Sequence, residues 1–283
     1  METKVSSATR EVIISYDRPT VLIGEAINPT GKNKLTASLQ VKDMGLVRKL
    51  ALAQVQAGAD ILDVNIGVSG IDEEALLPQA VQAVMEVVDV PLCIDSDNPG
   101  ALAAALRVYR GKPMVNSVTG QEQSLSAILP LVREHGAAVI GLTMDDGGVP
   151  TDSDHRLAIA HKIVDRATAM GIPLEDILID CLVLTVATDS NAGLITLEAI
   201  RRLREELGVN QTLGASNISF GLPERDVLNM AFLTASVISG VTCPILNVAR
   251  ARPTVLAADL LLGRDRYATR YIKAYRQRQK SQK

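Results

Sequence analysis

Short apolar runs alternate with stretches of helical periodicity along almost the whole chain. Runs of strand length stand at Val21–Gly24, Ile61–Ile66, Leu92–Asp95, Met114–Asn116, Ala138–Thr143, Ile177–Asp180, Thr212–Ala215 and Thr242–Asn247. Between them, sets such as Val47, Leu50, Ala51 and Val55, or Leu157, Ala160, Val164 and Ala167, repeat with the period of a helix that buries one face. The pattern predicts eight strands joined by helical crossovers.

Turn residues agree with that pattern. Gly58, Gly111, Gly136, Gly171, Gly208 and Gly240 each follow a helical stretch and precede the next strand by a few residues. A helix terminus needs the left-handed conformation there, and glycine adopts it without a Cβ clash. Asn98-Pro99 predicts an N-cap with proline at the first helical position, and Thr119-x-x-Glu122 predicts a capping box. No G-x-G-x-x-G follows the first strand, which disfavours an open, doubly wound dinucleotide-binding sheet. The expectation is an α/β fold, a single (β/α)8 TIM barrel over residues 20–283, with residues 1–19 as an N-terminal extension.

Composition narrows the function. The 283 residues suit such a barrel as one unit. Apolar residues make up 47% but aromatic ones only 2%, so aliphatic side chains must fill the core and stacking platforms for bases are lacking. A net charge of −3 gives no broad field to gather nucleic acid. The opening METKVSSATREVIISYD carries charges throughout, so no secretory signal is expected, and no apolar stretch reaches membrane-spanning length. Cys93, Cys181 and Cys243 are an odd count without a C-x-x-C pair, which argues against a disulfide framework or a structural zinc site. They are expected as small core residues in a cytoplasmic protein without nucleic-acid or membrane partners.

In a barrel of this kind the chemistry sits at the carboxyl ends of the strands. The first strand delivers Glu25 and Asn28 there, the second Asp63 and Asn65, and the third Asp95 and Ser96. The fourth gives Asn116 and Ser117, the fifth Thr143 and Asp145, and the sixth Asp180. The seventh ends in Ser216-Asn217 and the eighth in Asn247. His135, His155 and His161 fall on predicted helices, where a surface role is the plain reading. No Lys stands at a strand end, which disfavours Schiff-base chemistry. Carboxylates without His lack the usual mixed metal sphere, so no metal is expected; a hard-cation site of oxygen ligands is the weaker alternative.

Converging Asp and Asn suit recognition of a neutral, polar heterocycle. A carboxylate accepts two parallel hydrogen bonds from an amino group and the adjacent ring N–H, while an Asn offers a donor and an acceptor beside it. A 2-amino-4-oxopyrimidine ring presents that complementary edge. Any one of these residues could instead cap a helix, as expected of Asp97 or Asn98, but capping does not account for the whole ring.

Seven stretches in order strengthen this: Gly24-Glu25-Ala26-Ile27-Asn28, Leu62-Asp63-Val64-Asn65, Cys93-Ile94-Asp95-Ser96, Val115-Asn116-Ser117, Gly141-Leu142-Thr143-Met144, Ile179-Asp180 and Ser216-Asn217-Ile218-Ser219. They resemble the methyltetrahydrofolate:corrinoid methyltransferases, a group of pterin-binding barrel enzymes, and the resemblance runs from Val21 to about Tyr271. It implies that Asp95, Asn116 and Asp180 hold the pyrimidine edge of a pterin, with Asp63, Asn65, Glu25, Asn28 and Ser216 in the same site. It also implies that Asn217 contacts N5, the nitrogen that carries the methyl group. Relatives usually have Arg where this chain has Ala26, which removes the expected cation beside the first strand. Phe220 stands where some relatives have a polar residue, and Arg225 matches a family arginine but equally fits a surface charge at a helix start.

A tertiary amine is a poor leaving group, so the methyl–N5 bond must be weakened by protonation or hydrogen bonding as it breaks. No side chain here is an obvious general acid at neutral pH. The rotatable Asn217 amide is therefore expected to donate to N5 as charge develops, with the proton arriving from solvent through a network that includes Asp180 or Asp95. The resemblance implies tetrahydrofolate or 5-methyltetrahydrofolate as substrate and a corrinoid (cobalamin) on a separate corrinoid protein, since the His-containing loop and second domain of a corrinoid binder are lacking. It suggests a homodimer and leaves the direction of transfer open.

Two alternatives stand beside it. A dihydropteroate synthase-like enzyme would want a cation such as Lys near the seventh strand, where Ala215-Ser216-Asn217-Ile218-Ser219 has none, although Arg250-x-Arg252 could hold phosphate. A non-enzymatic folate-binding subunit would use the same binding residues. The segment Arg264–Lys283 has eight Lys or Arg against one acid, Asp265, and reads as a solvated final helix, with docking of an acidic partner as its alternative.

Overall fold

The computed structural model describes residues 1–281. After a hairpin of β1 (Thr3–Ser6) and β2 (Glu11–Ile14), the wall strands are β3 (Ile23–Ile27), β4 (Ile61–Asn65), β5 (Leu92–Asp95) and β6 (Met114–Thr119). They continue with β7 (Ala138–Leu142), β8 (Ile177–Asp180), β9 (Gln211–Thr212) and β10 (Ile245–Leu246). The outer layer comprises α1 (Asn33–Gln40), α2 (Gly45–Ala57), α3 (Glu73–Met85), α4 (Pro99–Val108), α5 (Glu122–His135) and α6 (Ser153–Ala169). It is completed by α7 (Ala192–Glu206), α8 (Arg225–Ser239), α9 (Val248–Leu261) and α10 (Thr269–Ser281). The eight wall strands are parallel and lie in the order β10-β3-β4-β5-β6-β7-β8-β9. Between β9 and β10 the Ile245 N–H donates to the Leu213 carbonyl at 3.1 Å, and Gly214 bridges Ile245 in parallel, which brings the ends together into the predicted (β/α)8 barrel.

Alternation along each strand makes two buried layers. Ile23, Ile61, Cys93, Met114, Ala138, Ile140, Leu178 and Cys243 form the inner cluster. Their sequence neighbours Leu22, Leu62, Ile94, Val115, Val139, Ile177 and Ile179 pack outward against the helices. The segment expected as an extension has a defined place: Val5, Val12 and Ile14 of the hairpin join the inner cluster and close the barrel floor. Asn210 Nδ2 donates to the Ile14 carbonyl at 3.0 Å and Tyr16 donates to the Val209 carbonyl, tying the hairpin down.

Several predicted boundaries move. The first run enters the ladder at Ile23 rather than Val21, and Val21 and Leu22 are a buried lead-in. The seventh and eighth runs pair over only two residues each. Pro244 has no N–H to give a ladder, and beyond Gly214 the chain winds into a 3-10 turn at Ala215–Ser219. The capping box at Thr119 is not formed, because β6 runs on through Thr119 and the N-cap falls to Gln121, which makes no side-chain cap. Asn98 does cap α4, accepting from Gly100 and Ala101 N–H at 2.9 and 3.3 Å, with Pro99 at its first position. All six punctuating glycines take positive φ. Gly111 shows the need most sharply, since a Cβ there would lie 2.3 Å from the Ser6 carbonyl oxygen of the hairpin.

Asp259, fully buried near the end of α9, joins three segments. It accepts from the Thr20 N–H at 3.0 and 3.1 Å, from the Thr20 hydroxyl at 2.7 Å, and pairs with Arg264 and with Arg270 of α10. Asp259→Ala would leave Arg264 buried without its counter-charge, a loss of about 3 kcal/mol. The urea midpoint should fall at unchanged slope; a loss below about 1 kcal/mol would show the triad to be dispensable. The basic C-terminal segment is a helix as expected, with Ala274 buried and Tyr267, Ile272 and Tyr275 exposed; its residues 282–283 lie outside the described residues. No helix among the described residues is long and apolar enough to cross a membrane.

Candidate active site

The same alternation that fills the barrel places polar residues above the apolar layer. Asp63 follows Ile61 by two positions, Asp95 follows Cys93, Asn116 follows Met114 and Asp180 follows Leu178, so all four fall on the inner face at the carboxyl end. Register then sets their depth. Asn65 pairs with Asp95 and Asp95 with Asn116, whereas Asp63 pairs with Cys93 and sits one layer lower, only 3% exposed.

These residues form one network. Asn116 Nδ2 donates to Asp63 Oδ1 at 3.1 Å, and the Asp95 carboxyl is hydrogen-bonded to both Asn65 and Asp63. Burial pushes the Asp63 carboxyl well above the usual range, and the neighbouring Asp95 charge pushes the same way. Burial also raises Asp95, to about 6, against the hydrogen bonds from Asn65 and Asp63. The stronger upward push falls on the deeper Asp63, so a proton shared by the two carboxyls rests on Asp63 and is donated to Asp95. The upper carboxylate keeps its remaining lone pairs for the mouth.

Asp180 stands on β8, also buried. Its Oδ1 accepts from the Leu182 N–H at 2.7 Å, and its carboxylate also accepts from the Gly214 N–H. Burial raises it to about 6, opposed by those two bonds and by the positive charge of Arg156. Gly214 leads into the 3-10 turn, so Asp180 also fixes the start of the turn that presents Ser216 and the exposed Asn217.

A cavity of about 270 Å³ adjoins this turn, lined by Glu25, Ser216, Arg225, Asn229, Asn247 and Arg250 among others. Arg225 donates to the Ser216 carbonyl and to Ser219 Oγ, both at 2.9 Å, so it braces the turn as well as opening α8. Burial raises the Glu25 carboxyl, opposed by Lys32 and Arg225. Lys32 corrects the expectation of no cation and no Lys at this edge, for its Nζ donates to the Ala26 carbonyl at 3.0 Å and to that of Glu25 at 3.4 Å. Phe220 is 68% exposed beside the Arg225 guanidinium, 5.8 Å from the ring centre.

Other strand-end residues serve their own loops. Asn28 accepts from the Thr30 N–H, Asn247 caps α9, and Ser96 Oγ donates to Glu73 at 2.5 Å. Asp145 accepts from the Gly147 N–H and pairs with His155 at 2.9 Å, away from the ring of carboxylates. A larger cavity, about 510 Å³, lies at the other end of the barrel beside Ser7, Gln82, Asp89 and Tyr109, but none of the convergent strand-end groups reaches it. The convergent polar groups are at the mouth.

Three contributors were not marked by sequence reasoning: Lys32, Gln54, whose Oε1 accepts from the Ala26 N–H at 2.7 Å, and Arg156. Arg156 had a usable signal. It falls on the apolar stripe of α6 with Ala160, Ile163 and Ala167, where a charge is out of place.

A barrel with carboxylates and amides converging at its strand ends matches the family described as pterin binding enzyme over residues 24–247, and the chain belongs to that family. It is similar to the methylcorrinoid:tetrahydrofolate methyltransferase of Eubacterium limosum, 31% identical over 267 residues that cover 91% of this chain and 96% of that protein. It is also 31% identical over 265 residues to methionine synthase of Mycobacterium tuberculosis, covering 89% of this chain but 22% of that longer protein. Among solved structures, Yersinia pestis dihydropteroate synthase with a pterine-sulfa conjugate superposes at a TM-score of 0.69 with 17% identity, over 93% of this chain and 99% of that one. The Xanthomonas albilineans enzyme with 4-aminobenzoic acid gives 0.70 and 21%, over 92% and 98%. At those identities the likeness is one of fold.

Proposed function

We propose that this protein moves a methyl group between N5 of tetrahydrofolate and the cobalt of a corrinoid carried by a separate protein. What supports this most is the joined set Asp63, Asn65, Asp95 and Asn116 at the mouth, in a chain similar along nearly its whole length to a methylcorrinoid:tetrahydrofolate methyltransferase. Ionised Asp95 and Asp180 accept from the amino and ring N–H groups of the pterin's pyrimidine edge. Asn116 has one Nδ2 hydrogen committed to Asp63, which fixes its amide and leaves Oδ1 as an acceptor for the same edge.

The name of the Eubacterium relative suggests the direction, and we assign it here: methyl passes from the corrinoid to tetrahydrofolate. The N5 lone pair attacks the methyl carbon. The cobalt–carbon bond breaks with its electron pair staying on cobalt, which passes from Co(III) to Co(I), and the N5 proton leaves to solvent. In reverse, N5 regains the bonding pair and a proton. Asn217, exposed on its turn, holds N5 in both directions: its Oδ1 accepts from N5–H, and its Nδ2 donates to the lone pair that appears as the methyl leaves.

The test is a transfer assay with radiolabelled 5-methyltetrahydrofolate and cob(I)alamin, and with methylated cobalamin and tetrahydrofolate. Label should move in both settings. Folate binding without transfer would leave only a folate-binding subunit, and absence of binding would remove the pterin reading altogether.

A further inference from the structure

We propose that Arg156 is a positioning residue for the Asp180 half of the site, acting through the backbone of Leu182; this rests on the pterin reading of Asp180. Arg156 lies in the first turn of α6 with no exposed surface, among the largest fully buried side chains of the chain. A buried guanidinium is ordinarily answered by a carboxylate, yet among the described residues its hydrogen bonds all go to neutral acceptors. Nε donates to the Pro150 carbonyl, and Nη1 donates to the Leu182 carbonyl and to Thr196 Oγ1, each at 2.9 Å. Those acceptors belong to the loop entering α6, the residue two past Asp180, and the first turns of α7. One side chain stitches three segments of the mouth.

The link to Asp180 is direct. Leu182 takes φ of +53°, a left-handed conformation that a leucine rarely adopts. In it the Leu182 carbonyl accepts from Arg156 while its N–H donates to Asp180 Oδ1 at 2.7 Å. Holding one side of this residue therefore aims the other. With Gly214 N–H bound as well, the carboxylate is fixed in one orientation. Packing alone gives no reason for a charge here, because apolar replacements of buried ionic groups are often neutral or stabilising. Among titratable groups near Asp180, the thiols of Cys181 and Cys243 are driven up by burial and stay neutral, so Arg156 is the charged one. Arg156 itself also feels Asp152 and Asp189.

The experiment compares Arg156→Met and Arg156→Lys in tetrahydrofolate binding across pH, in KM and kcat, and in thermal melting. Both should raise Kd and KM about tenfold with kcat altered about twofold or less. In wild type, binding should weaken as pH falls through about 6, where Asp180 takes a proton and stops accepting. Arg156→Met should move that midpoint upward by about half a pH unit, and Arg156→Lys should restore the midpoint but not the affinity. In an Asp180→Asn background Arg156→Met should have no further effect on binding. Leu182→Pro, which deletes the N–H that Asp180 accepts from and excludes the positive φ without touching the buried charge, should also weaken binding, and it decides the matter if the Arg156 variants do not fold. Wild-type affinity and midpoint in Arg156→Met, full additivity with Asp180→Asn, or unchanged affinity in Leu182→Pro would each overturn the proposal. Failure of the wild type to bind tetrahydrofolate would remove the pterin reading and this inference with it.

Discussion

Asp95→Asn is expected to weaken tetrahydrofolate binding by about 100-fold, since two hydrogen bonds to a charged acceptor are lost and an amide donor is set against the pterin's own donors. The substitution keeps size and shape, so the fold should be unchanged. Its second signature is in pH. Asp95 and Asp180 are each pushed to about 6 by burial, and each must be ionised to accept. Wild-type binding should therefore rise with pH through about 6 with a dependence approaching two protons, and the variant should show one. Asp63, which burial holds well above the usual carboxylate range, is left out of this count because it sits one layer below the mouth and does not meet the ring. Isothermal titration between pH 5 and 8 measures both effects. Affinity within about threefold of wild type would show that Asp95 does not grip the ring.

The part of this arrangement that alternation governs was legible in the sequence. A period of two, counted from Ile61, Cys93, Met114 and Leu178, places Asp63, Asp95, Asn116 and Asp180 on one face at one end of the barrel. Depth was not legible, because it depends on the stagger between neighbouring strands: the pairing of Asp63 with Cys93, rather than with Asp95, makes it a buried proton holder. Lys32 escaped notice because it lies beyond the end of β3, before α1, and returns to the mouth only through the fold of that loop. Thr119 was misread because β6 has an irregularity between Asn116 and Val118, which carries the strand past the point where a cap would begin. The hairpin on the floor gave too short a pattern, Val5 and then Val12 and Ile14, to reveal what it would cover. Arg156 interrupts the apolar stripe of α6, a signal that the strand-end search for site residues did not reach.

Asn217→Ala should lower kcat for methyl transfer by about 100- to 1,000-fold, the scale of removing one preorganised donor from a developing charge. Tetrahydrofolate affinity should change by about threefold or less, because the pyrimidine edge is held elsewhere. The separation follows from position. Asn217 is exposed on a turn anchored at one end by Asp180 through Gly214 and at the other by Arg225 through Ser216 and Ser219, so its amide can rotate while its backbone cannot wander. A group so mounted contributes little to holding the flat ring and most to N5 as its bonding changes. Asn217→Asp sharpens the test. A carboxylate there can accept from N5–H but cannot donate to the lone pair, so removal of the methyl from 5-methyltetrahydrofolate should suffer. Read at saturating 5-methyltetrahydrofolate above about pH 7, where Asp95, Asp180 and the introduced carboxyl are all ionised, the Asp variant's kcat for that direction should fall as far as that of Asn217→Ala while its affinity is kept. Equal losses in Kd and kcat for Asn217→Ala would place the residue among the ring-holding groups and leave the stabilisation of N5 without a side chain to supply it.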